Sequence, residues 1–114
     1  MANEIMVVRL HLREADHGKR RTVMQEALKI LHDQHRVQSV VVLRGIAGFD
    51  ESGEIHAADL LRLNVDLPLV IEFWDTPAVV QSALTLLVDL IPAAHILCWR
   101  AEHPALGAGG GGAA

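Results

Sequence analysis

A chain of 114 residues with 51% hydrophobic content can pack one core and has no room for a second domain. Its formal charge is −4 and its densest basic run is Lys19-Arg20-Arg21, which excludes the electrostatic footprint of a nucleic-acid binder. The single cysteine, Cys98, excludes an internal disulfide, and its setting in Ile96-Leu97-Cys98-Trp99 predicts a small core residue on a strand.

From Glu4 to Arg13, Met6, Val8, Leu10 and Leu12 alternate with Ile5, Val7, Arg9, His11 and Arg13, the period of a β-strand. One face is apolar throughout. The other starts apolar and turns basic, which suits a sheet whose second face meets something other than bulk water. Charges at Glu4 and Arg9 around a short apolar stretch do not make a signal peptide, so a cytoplasmic location is expected.

After the turn Asp16-His17-Gly18, apolar residues Val23, Met24, Ala27, Leu28 and Leu31 recur at helical spacing within 19–35. Asp16 can cap this helix, and so can Thr22, which forms a capping box with Gln25. Residues 37–44 are rich in β-branched side chains and read as a second strand. Gly45, Gly48 and Gly53 then fall close together, permitting positive φ and close approach of backbone to a ligand. A long loop is expected to about Asp66, with a helical turn over Ile55 to Leu61, and loops of this length inside small domains are functional or mobile.

A third strand is predicted over 67–74, with Leu67, Leu69, Ile71 and Phe73 on one face and Val70, Glu72 and Trp74 on the other. Thr76-Pro77 opens a second helix with proline at its first position, Val80, Ala83, Leu84, Leu87 and Ile91 form its stripe, and Pro92 stops it. The apolar stretch 78–97 is interrupted by Gln81, Ser82, Asp89, Pro92 and His95, so it reads as buried helix plus strand rather than a membrane span. The last strand is expected over 95–100. Residues 1–104 make the domain, and the Gly/Ala tail 105–114 has almost nothing to bury and is expected to be disordered.

The order strand, helix, strand, strand, helix, strand predicts an α+β, ferredoxin-like βαββαβ fold: a four-stranded antiparallel sheet with both helices on one face. The opposite face, carrying Ile5, Val7, Val70 and Trp74, then calls for cover by further subunits.

Among chemistry-bearing residues, Arg44 stands first, because a strand end leading into glycines presents its rigid fork of donors to a carboxylate or phosphate. A salt bridge from Arg44 to Asp50, Glu51 or Asp59 is the structural alternative. His17-Gly18-Lys19 precedes a helix, where an anion or simply water can sit. His56 and Asp59 would share a helical face, as a functional pair or as a bond that orders the loop. His32 and His35 have the spacing to hold one metal ion, without a third ligand in view. No nucleophile elbow, Walker loop, dinucleotide fingerprint or paired catalytic carboxylates occur, so enzymatic activity is not expected.

Leu43-Arg44-Gly45-Ile46-Ala47-Gly48-Phe49, Ile55-His56 and Asp66-Leu67-Pro68-Leu69-Val70-Ile71-Glu72 with Asp75-Thr76, together with the His17-Gly18-Lys19 turn, resemble the PII-like family catalogued as domain of unknown function 190. The resemblance extends to about Glu102. It implies a ferredoxin-like subunit and a homotrimer in the manner of PII signalling proteins and the copper-tolerance CutA proteins. It also implies a flexible loop whose base holds an adenine nucleotide in the cleft between subunits and whose body binds a protein partner. The implied ligand set is Arg44, Gly45, Gly48 and Phe49, with His17, Lys19, His56 and Asp59 as further candidates. Two departures bear on the ligand. Asp50 stands where PII proteins and this family commonly place another glycine, and it would repel a phosphate. The connection Leu90 to His95 lacks the glycine- and lysine-bearing loop of PII proteins, which leaves a different nucleotide or a smaller anion open. The reading is therefore a trimeric signalling protein that relays a small anionic or nucleotide ligand through 45–66 to a partner, a membrane transporter being one the resemblance suggests. A CutA-like metal binder and a small ferredoxin-like enzyme using the open sheet face are the alternatives.

Overall fold

A computed structural model describes residues 3–13, 22–45, 47–48, 56–57 and 67–104. Along the chain run β1 (Asn3–Arg13), α1 (Val23–Lys29) with a π-helical turn (Ile30–His35), β2 (Ser39–Arg44), β3 (Ala47–Gly48), β4 (His56–Ala57), β5 (Pro68–Asp75), α2 (Pro77–Leu87), a 3₁₀ turn (Ala93–His95) and β6 (Ile96–His103). The main sheet has the order β2-β5-β1-β6 and is antiparallel throughout, while β3 and β4 form a separate antiparallel pair. This is the expected α+β architecture.

Register follows from the alternation. Leu10 lies opposite Ile71 on β5 and Ile96 on β6, so Met6, Val8, Leu10, Leu12, Leu69, Ile71 and Phe73 share the helix side. With Val23, Ala27, Leu31, Val80, Ala83, Leu87 and Ile91 they form one buried core. A one-residue slip would turn every one of these strand side chains outward, and that cost pins the register.

The helix ends show what local chemistry adds. Thr22 caps α1: its hydroxyl accepts from Gln25 N–H at 3.2 Å, and the Gln25 side chain accepts from Thr22 N–H at 3.1 Å. That reciprocal box fixes the start that the sequence leaves between Asp16 and Thr22. The π turn ends on Arg36 in the left-handed region (φ 46°, ψ 52°), with Arg36 and Val37 N–H both donating to the Leu31 carbonyl. Glycine or asparagine is usual there, because a Cβ adds about 1–2 kcal/mol of steric strain.

Three expectations are corrected. The α-helix of α2 stops at Leu87, not at Pro92; Leu90 and Ile91 N–H both close onto the Leu87 carbonyl in a tightened turn. Proline disfavours helical backbone in the residue before it, so the helix unwinds ahead of Pro92 while Ile91 still reaches the core. The last strand runs over 96–103, because β1 offers partners as far as Asn3, opposite His103. Cys98 is exposed, not core. It lies opposite Val8 on the helix side, but β6 is an edge strand and α2 packs over β1 and β5. The tail 105–114 lies outside the described residues.

Candidate functional site

The root of the long connection is built from the end of β2. Val40, Val42 and Arg44 form one row on its helix side, Arg44 standing opposite Leu69 and exposed at the sheet's end. The next residue, Gly45, donates its N–H to the Pro68 carbonyl at 2.8 Å. A Cβ added at Gly45 would stand 2.8 Å from Pro68 Cγ, a ring atom with little freedom to move. Glycine is therefore required for this clamp, which fixes where the chain leaves the sheet.

Beyond the clamp, Ala47 pairs with Ala57 and Gly48 with His56. His56 is thus on extended backbone, which overturns the helical turn expected over Ile55 to Leu61 at this position. Cross-strand pairing with the glycine segment supplies the hydrogen bonds a lone helical turn would leave unmade. The shared helical face of His56 and Asp59 loses its basis at His56. Of the candidate residues, Arg44 adjoins Gly45 and Gly48 is brought beside His56. His17, Lys19, Phe49 and Asp59 lie outside the described residues.

A concavity lies elsewhere in the subunit. Between α1, the π turn and β2, an outermost strand among the described residues, runs a groove of about 1000 Å³. Its walls are aliphatic, from Leu28, Leu31, Val37, Val40 and Val42, and its polar lining comes from His32, Asp33, Arg36, Gln38 and Ser39. His32 Nδ1 and Asp33 Oδ1 are 2.8 Å apart and Lys29 Nζ reaches Asp33 Oδ2 at 3.7 Å. The His32 hydrogen bond, with the Lys29 charge behind it, holds the Asp33 carboxyl below the ordinary carboxylate value. The groove's rim is anchored from behind by Asp75, a buried carboxylate at 5% exposure. Its Oδ2 accepts Gln38 N–H at 2.9 Å and its Oδ1 accepts Thr76 N–H at 2.6 Å, tying the two helix–strand junctions together. The sequence carried a faint sign of the groove: no glycine follows α1 where a helix commonly ends on one.

The π turn also changes the metal reading. Its wider winding no longer stacks positions three apart, so the backbone spacing that joined His32 to His35 is lost. Among the described residues no group of three His, Cys, Asp or Glu side chains is placed to hold a metal ion.

The sheet face away from the helices carries Val41, Leu43, Leu97 and Trp99, all exposed at 42–56%. Set among them, Arg9 Nε donates to Glu72 Oε1 at 2.8 Å, and its guanidinium lies 5.5 Å from the Trp99 ring centre. Trp74 and His103 rings meet at 5.2 Å. Beside Arg9, His11 is exposed overall, yet partial burial of its ring, then the charges of Arg9 and His95, hold the imidazole below its ordinary value of 6.5. Among the described residues no helix is long and apolar enough to cross a membrane.

Comparison with known proteins agrees with this architecture. Residues 5–103 match the family described as DUF190, "Uncharacterized ACR, COG1993". The UPF0166 protein MJ1524 of Methanocaldococcus jannaschii is 28% identical over 85 residues, 75% of this chain and 77% of its own. Among solved structures, CPII of Thiomonas intermedia K12, bound to ADP and bicarbonate, superposes with a TM-score of 0.64 at 13% identity, covering 90% of this chain and 91% of CPII. The divalent ion tolerance protein CutA1 of Ehrlichia chaffeensis gives 0.56 at 14% identity, covering 90% and 83%. At these identities the structural likenesses establish the fold.

Proposed function

Since the chain belongs to the DUF190 family, we propose that it is a PII-like regulatory module: a homotrimer that holds a small anion or an adenine nucleotide at the root of 45–66 and passes occupancy along that segment to a protein partner. The observation that carries this reading is the clamped root. Gly45 is locked to Pro68 while Arg44, one residue earlier, presents a cation at the sheet's end, so an anion bound there would act where the chain departs. The structural likeness to CPII, which was solved with ADP and bicarbonate, supports these two ligand classes. The apolar sheet face supports assembly, since a soluble monomer rarely leaves such a patch uncovered.

The test is a melting-temperature series with ADP, AMP, ATP, cyclic AMP and bicarbonate on the intact protein and on Arg44→Ala. A ligand at a hundred times its dissociation constant adds about 2.7 kcal/mol of stability, a shift of several degrees in a domain of this size. The expected result is a shift for at least one ligand that Arg44→Ala removes. No shift for any of them ends the ligand reading, and a monomer by light scattering ends the trimer.

A further inference from the structure

We propose that the groove between α1, the π turn and β2 binds a single-headed anion on an aliphatic body, a medium-chain carboxylate or alkyl phosphate, with Arg36 as its anchor. The inference goes beyond the reading above and does not need it, because every residue involved comes from one subunit and Arg44 is not among them.

Arg36 occupies a left-handed backbone position that glycine would fill without strain. An observed outlier of this kind points to a side chain held for its chemistry. Among the described residues the guanidinium makes no hydrogen bond or ion pair, and it is exposed on the groove. The other ionisable side chains of the lining, His32 and Asp33, are hydrogen-bonded to each other. A cation without a partner beside an apolar wall selects an anion, and the planar fork of arginine suits carboxylate and phosphate alike. The body of the ligand is set by the walls. Leu28, Leu31, Val37, Val40 and Val42 are aliphatic, and the lining contains no Phe, Tyr or Trp ring against which a nucleobase would stack. The rim is also preorganised: Asp75 holds Gln38 by its backbone, so little ordering remains to be done on binding.

Titration of the intact protein with octanoate, octyl phosphate, octanol and acetate, followed through the backbone amide signals of 36–42, tests the proposal. Octanoate or octyl phosphate is expected to move these signals saturably, with octanol and acetate at least tenfold weaker; whichever of the two heads binds better identifies its class. Arg36→Gly is expected to weaken the better anion at least tenfold while the melting temperature holds or rises, because glycine relieves the left-handed strain. Binding unchanged in Arg36→Gly, octanol as tight as octanoate, or no saturable shift with either anion overturns it.

Discussion

The two faces of the sheet are written in the same alternating code and meet opposite fates. On the helix side Val8, Leu10, Ile71 and Phe73 are completely buried. On the other side Val41, Leu43, Leu97 and Trp99, one residue out of phase, remain exposed. The difference lies not in hydrophobicity but in supply. Two short helices suffice to roof one face, and among the described residues no helix lies over the other. Burying a Leu or Val side chain is worth about 1.5–3 kcal/mol, so the helix side stabilises the subunit, and the open side would release the same kind of free energy if another copy covered it.

The largest expected effect breaks the comparison on its buried side. Phe73→Ala removes the largest fully buried side chain from beneath both helices, and large-to-small changes of this kind cost about 3–5 kcal/mol. In a domain of this size that is much of the total stability. Urea unfolding should show a strong fall in midpoint or no folded baseline. A loss below about 1 kcal/mol would mean that the helix side is not the core.

A smaller effect on the subunit, but a larger one on assembly, is expected on the open side. Leu97→Glu alters a side chain that is 56% exposed in the subunit, so the fold should survive with little change in its circular dichroism spectrum. A carboxylate placed on the apolar patch must be desolvated if copies meet there, and sedimentation at micromolar concentration should show dissociation. If the variant assembles as the parent does, this face is not an interface and the comparison of the two faces needs another explanation.

How much of this was legible depended on whether the signal was local. Strand periodicity depends on each residue and its immediate neighbours, so Met6 to Leu12 and Leu69 to Phe73 declared their faces, and Arg9 with Glu72 could be placed together on the open one. The Thr22–Gln25 box and Thr76-Pro77 are equally local. What escaped depends on partners far along the chain. Cys98 has the composition around it of a core strand, and only the sheet order shows that β6 is an edge without a roof. Asp75 looks like an ordinary strand-end residue until Gln38, thirty-seven positions earlier, is found donating to it. The groove needed the π turn and the left-handed Arg36, neither of which has a hydrophobic period to betray it. At the loop root, glycine spacing marked the place, and Pro68 supplies the reason Gly45 must be glycine.

The smallest expected effect sharpens the comparison by titrating the open face. Because the His11 imidazole is held below 6.5 in the folded protein, the neutral form is the one the fold favours. As pH falls below about 6.5, the unfolded chain takes up the proton first, so stability falls with it, and the loss is complete once the pH passes the lower folded value. Arg9 and His95 act on this ring, and Arg13 on its own strand and Glu72 on β5 share its sheet face; Glu72 already accepts from Arg9. Solvent screening keeps the effect small, under about 1 kcal/mol. Urea midpoints for the parent and His11→Gln at pH 7.5, 6.5 and 5.5 should agree at the high end and diverge at the low end, the parent being the less stable of the two in acid. Parallel curves would show that the basic end of this face exerts no strain on His11. A gap far wider than one exposed imidazole can supply would mean that several copies of the ring charge together, as they do where open faces pack against one another.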